Sequence, residues 1–86
     1  MGIKELQVVP GVGESIAADL WDIGIHSVED LKGKNPQQMY ENLNRLKGRT
    51  QDRCVLYVFR CAVYYASTPA ARHDPHLLKW WHWKDK

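Results

Sequence analysis

Leu6, Val9-Pro10-Gly11-Val12-Gly13, Ala17 and Leu20 form the pattern Leu-x-x-Val-Pro-Gly-Val-Gly-x-x-x-Ala-x-x-Leu, whose chemistry belongs to the backbone. Two glycines allow a tight hairpin and a close approach by another backbone, with no side chain between. A helix is expected to start at Glu14. The amides of Gly11 to Ser15 would then point outward at its N-terminus, where N–H groups have no intrahelical partner and the helix dipole adds partial positive charge. Such a place accepts a phosphate or another anion. Ala17 is small enough to let the two flanking helices pack closely. Glu14 works against this chemistry, because a carboxylate beside the hairpin repels an anion; Asp19 and Asp22 lie further along the same helix.

Other reactive side chains offer less. Cys54, Cys61, His73, His76 and His82 include zinc-ligand types. On a helix, however, the two cysteines stand seven residues apart, with Cα atoms about 10 Å distant. That is too far for one zinc ion bound through sulfurs at about 2.3 Å, and beyond the roughly 7 Å limit for a disulfide. One Cys with two His stays open, while buried, inert thiols are the expected state. Arg53, Tyr57, Arg60 and Tyr64 fall on one narrow stripe when residues are placed at steps of about 100°. The stripe reads either as the solvated face of a core helix or as a surface that meets phosphates and bases. Trp80, Trp81 and Trp83 read as rings that close the core or pack across a dimer, with a stacking platform for single strands as the alternative. Ser15, Ser27 and Ser67 occupy turn or cap positions, and no nucleophile, base and acid converge in the sequence. No enzymatic activity is expected.

The elements that must position these residues are helical. Ile3, Leu6 and Val9 predict a short first helix, stopped by Pro10-Gly11. A second runs over about 14–23 with Ile16, Ala17, Leu20 and Trp21 on its apolar face and Gly24 at its end. Ser27 caps a short third helix, with Asp30 three residues on in a capping-box position. Asn35-Pro36 starts a fourth, whose buried face is Met39, Tyr40 and Leu43. The fifth, over about 52–66, is the most apolar and is expected at the centre of the core. Ser67-Thr68-Pro69 ends it, and Asp74-Pro75 starts a last helix carrying Leu77, Leu78 and the three tryptophans. The fold class is therefore all-α, a compact bundle of five to six short helices. The chain of 86 residues suits one domain, with residues 1–48 as its hairpin half and 49–86 as the half holding the long core helix and the Trp-rich end.

Charge is divided between those halves. Residues 1–44 hold three basic and seven acidic residues, net −4, whereas residues 45–86 hold nine basic and three acidic, net +6. The split points to a polyanion, or to an oppositely charged protein, as partner of the second half; ordinary solubility charge is the alternative. Charges in Met1-Gly2-Ile3-Lys4-Glu5 leave no apolar stretch of the signal-peptide kind, and Arg60 interrupts the longest apolar run. Two cysteines fit reduced thiols. Together these predict a cytoplasmic protein with no membrane partner. Its size is compatible with either a monomer or a homodimer.

The glycine pattern resembles the helix-hairpin-helix family of DNA-binding motifs. That resemblance implies that Gly11, Val12 and Gly13, with Ser15 as an extra donor, hold a DNA backbone phosphate without reading bases. It also implies a monovalent cation at the hairpin and no other cofactor. Gly24-Ile25-His26-Ser27-Val28-Glu29-Asp30-Leu31, followed by Pro36, Tyr40 and Leu43, resembles the C-terminal domain of bacterial competence regulators, a SAM-like fold. The stretch from Asp52 to Tyr65 and the stretch from Leu77 to Asp85 resemble the bacterial pathogenicity-locus family, some members of which carry a mitomycin-resistance label. That label implies an association with DNA damage. The resulting expectation is sequence-independent DNA binding, with the hairpin on a phosphate and Arg49, Arg53 and Arg60 adding attraction. The alternative is a protein-interaction module of the same fold, docking through its acidic first half.

Overall fold

The computed structural model describes residues 2–84. Its five α-helices are α1 (Gly2–Leu6), α2 (Glu14–Asp22), α3 (Val28–Leu31), α4 (Pro36–Lys47) and α5 (Arg53–Ser67). Three 3-10 turns follow, Ala70–Arg72, Pro75–Leu78 and Trp80–Trp83, and form a C-terminal strap. The protein is all-α, with no strand among the described residues.

Local signals explain the boundaries. The Ser27 hydroxyl accepts from the Asp30 amide at 3.3 Å, and the Asp30 carboxylate accepts from the His26 amide at 3.1 Å. The reciprocal cap forms, but its return bond reaches one residue further back than in the standard box. Asn35 accepts from the amides of Gln37 and Gln38 at 2.9 and 3.2 Å, with Pro36 at the first helical position. Gly48, at φ 72°, ends α4, and the Arg49 amide returns to the Asn44 carbonyl at 3.1 Å. Asp52 caps α5 through the Cys54 amide at 2.8 Å.

Two elements depart from expectation. The first helix ends at Leu6, not Val9. Residues 7–9 continue as turns, each amide bonding three residues back, and Val9 still reaches the core at 1% exposure. The Ile3 side chain lies outside the described ones. The expected last helix is replaced by two 3-10 turns joined at Lys79, whose φ −99° and ψ 112° are extended. Asp74 and Pro75 do start the segment, but the extended Lys79 interrupts it and lets Trp80 and Trp83 both pack inward.

One core runs through both halves. Leu6, Leu20, Leu31, Leu43, Leu56 and Phe59 are fully buried and belong to a single contiguous cluster. Each such side chain stabilises the fold by about 1.5–3 kcal/mol. Helix α5 is the central element, packed against α3, α4 and the strap. Tyr40 lies in the core and donates its hydroxyl to the Gln51 carbonyl, tying α4 to the turn that precedes α5. The hairpin is held over this frame: α1 and α2 pack on each other, and the Cys61 thiol of α5 lies beneath the Pro10 carbonyl at 3.9 Å.

Candidate nucleic-acid interface

The hairpin has a buried and an open side. Val12 turns inward at 5% exposure, and its amide donates to the Val9 carbonyl at 3.1 Å, so that N–H is already used. Gly11 has φ 84°, a backbone conformation that L side chains rarely adopt. A Cβ built on it would meet the Trp80 ring at 3.0 Å, so the strap packs directly on this glycine.

Past Val12 the chain opens to solvent. Gly13, Glu14 and Ser15 are exposed, and Gly13 is the N-cap of α2 in extended backbone with no side-chain cap. Among the described residues, the amides of Gly13, Glu14 and Ser15 meet no acceptor. The first amides of α3, α4 and α5 are each engaged by a capping side chain, as described above. The open, uncapped donors at the start of α2 are thus Gly13 to Ser15; the Val12 amide is used within the turn, and Gly11 carries the Trp80 ring against it.

The arginines are arranged in two groups. Arg49 and Arg53 bracket the turn between α4 and α5, and both are exposed. Arg60 lies two turns further along α5, against the C-terminal strap. Its guanidinium is half-buried, donating to the Trp83 carbonyl at 2.7 Å and standing 5.7 Å from the Tyr57 ring. The strap explains this. It folds back along the Arg/Tyr stripe, with the Asp74 amide donating to the Tyr64 hydroxyl at 2.8 Å and Trp83 5.6 Å from the Tyr64 ring. The stripe is therefore solvated at Arg53 and covered from Arg60 onward. An ion pair between Lys47 and Asp19 at 3.4 Å ties the end of α4 to α2, drawing one acidic charge of the hairpin helix into a local pair.

The cysteines separate. Cys61 is buried, pointing at the Leu77 carbonyl at 3.5 Å, and burial pushes its thiol up to about 11. Cys54, expected to be buried, is exposed: it stands two turns before Cys61, which the hairpin at Pro10 and the strap at Leu77 cover. Its hydrogen bond with Asp52 raises its pKa, and the bond from the Cys54 amide lowers that of Asp52. Among the described residues, no three His, Cys, Asp or Glu side chains converge on a metal position. A cavity of about 170 Å³ beside Ile23, Ile25 and Met39 lies away from the hairpin. It is smaller than the roughly 300 Å³ at which small-molecule sites begin.

Sequence comparison bears on the whole chain. The family model described as Pathogenicity locus matches residues 1–86. The chain belongs to the pathogenicity-locus family. A similar protein is the "Mitomycin resistance protein McrB" of Streptomyces lavendulae, 30% identical over 80 residues, covering 93% of this chain and 70% of that protein. No solved structure matches. Among the described residues of this family member, no helix is long and apolar enough to cross a membrane.

Two features were not legible as function in the sequence. One is the absent cap at Gly13, signalled only by glycine standing where Ser, Asn and Asp stand at the other helices. The other is Trp80 on Gly11, which joins residues 69 positions apart and has no local signal.

Proposed function

We propose that this pathogenicity-locus protein is a non-catalytic helix-hairpin-helix module that binds DNA without sequence preference, holding a backbone phosphate on the amides of Gly13, Glu14 and Ser15. The observation that carries the reading is the uncapped, solvent-facing start of α2. Arg49 and Arg53 supply the diffuse attraction to the rest of the backbone. The relative's name attaches it to mitomycin resistance; we extend to this chain a role in handling damaged DNA in the cytoplasm.

The test is fluorescence anisotropy with labelled duplex, nicked and single-stranded DNA at several salt concentrations. Each neutralised phosphate contributes a slope of about −0.9 in log K against log salt on duplex. Binding at low salt that weakens with a slope of about −2 to −4, equally for unrelated sequences, is the expected result. No affinity for any of the three forms at low salt overturns the reading.

One observation favours a second reading, docking on a protein. Glu14 places a carboxylate in the first turn of α2, and the first half is acidic overall. Under that reading the partner is basic, and a nuclease-treated lysate still yields it in a pull-down.

A further inference from the structure

Trp81 is the least buried of the strap's three tryptophans, 49% exposed, whereas Trp80 and Trp83 pack inward. Its position follows from two contacts. Trp80 lies on Gly11 of the hairpin, and Trp81 meets Trp80 at a centroid distance of 5.8 Å and an angle of 88°. Trp81 therefore stands one ring beyond the hairpin. His82 meets it in the same way, at 6.0 Å and 84°. Both neighbours stand near right angles to Trp81, so neither ring lies parallel over it. Lys79 and Lys84, on either side in sequence, are exposed cations. Burying an indole is favourable, and Trp80 and Trp83 are each partly buried by the same short segment. An indole left half in water, flanked by cations and one ring removed from Gly11 of the hairpin turn, has the character of a stacking surface for nucleic acid.

We propose that Trp81 stacks one unpaired base of a DNA strand whose phosphate lies on the hairpin amides, so that the chain prefers DNA with an unpaired nucleotide to continuous duplex. This rests on the phosphate-binding reading above and adds the substrate class: ends, gaps, nicks with frayed bases, and overhangs. Cations Lys79 and Lys84 steer the strand and do not select the base. Any of the four bases serves, because each presents a π face.

The test uses the full chain and three labelled DNAs of equal length: blunt duplex, the same duplex with a short thymidine overhang, and the overhang with abasic sites. The abasic overhang keeps the phosphates and removes the rings. Anisotropy with the unmodified chain is expected to favour the thymidine overhang over the abasic one by about tenfold. Trp81→Ala abolishes that preference while leaving blunt-duplex affinity and the melting temperature nearly unchanged, and Trp81→Phe retains part of it. Equal binding of thymidine and abasic overhangs by the unmodified chain overturns this proposal and leaves the phosphate reading standing. A preference that survives Trp81→Ala also overturns it. Absence of binding to all three DNAs overturns both.

Discussion

Replacing Gly13 with Asp sets the two roles of the α2 N-terminus against each other. Gly13 has φ −90° and ψ −170°, ordinary extended backbone for any residue. A Cβ built there meets nothing within 4 Å, so the side chain fits. The new carboxylate can accept from the first amides of α2, as Asp52 does from Cys54 at 2.8 Å. Replacing a cap glycine by Asp is worth a few tenths of a kcal/mol. A negative charge at a helix N-terminus adds about 0.3–1 kcal/mol, part of which repulsion from Glu14 cancels. The net expectation is about +0.5 kcal/mol, or a melting temperature roughly 2–4 °C higher for a domain of this size. For DNA the sign reverses. The phosphate loses hydrogen bonds to the amides, worth about 1.5–3 kcal/mol when the acceptor is charged. It also meets a like charge at about 4 Å, costing about 1 kcal/mol. Affinity should fall by at least about tenfold, read by anisotropy at low salt, while circular dichroism follows the melt. Gly13→Ser, which caps without charge, should give a smaller loss in the same direction. A variant that melts higher yet binds DNA with unchanged affinity would refute the reasoning, because its amides would be occupied and DNA indifferent to that.

Further outcomes follow from the same geometry. Gly11→Ala combines left-handed backbone strain of about 1–2 kcal/mol with the 3.0 Å contact to Trp80; it should lower the melting temperature by roughly 10 °C. Gly48→Ala carries the strain without the contact, so urea denaturation should show about half the loss. Glu14→Gln removes one like charge about 6 Å from the bound phosphate and should tighten DNA binding about threefold at low salt; no change in anisotropy argues that no anion sits there. Thiol reagent should modify Cys54 in the native protein and Cys61 only on unfolding, as mass spectrometry would show. The Cys61 thiol ionises near 9.0 in the unfolded chain and near 11 when folded. Its contribution to stability is therefore complete below about pH 9 and is lost as pH rises toward 11. Urea midpoints for the unmodified chain should fall across that window more steeply than for Cys61→Ala.

What could be read from the sequence was mostly local. Ser27 and Asn35-Pro36 each announce a boundary through a hydrogen bond to a residue two or three positions away, so spacing alone suffices. The apolar spacing of Met39, Tyr40 and Leu43, and the density of α5, placed the core correctly. The failures were of long range. Whether Asp74-Pro75 opens an α-helix or a strap depends on Lys79 adopting extended backbone so that Trp80 and Trp83 can reach α5 and the hairpin. The same fold-back covers Arg60 and Tyr64, which periodicity alone leaves on a wet face. Cys54 has core spacing on a helical wheel, but a wheel does not show how far along α5 the covering elements reach: the hairpin and the strap meet Cys61 and leave Cys54 exposed. At the hairpin, Pro-Gly-Val-Gly fixed where the turn lies. It did not show that Val12 uses its own amide internally, which moves the open donors to Gly13, Glu14 and Ser15.

The most direct test is a two-dimensional amide spectrum of the nitrogen-15-labelled protein, titrated with a short duplex at low salt. The account predicts that the resonances of Gly13, Glu14 and Ser15 move first and furthest downfield, saturating together, while Val12, already bonded to Val9, moves little. Saturable binding that shifts the surface of α4 or α5 and leaves those three amides in place would contradict it.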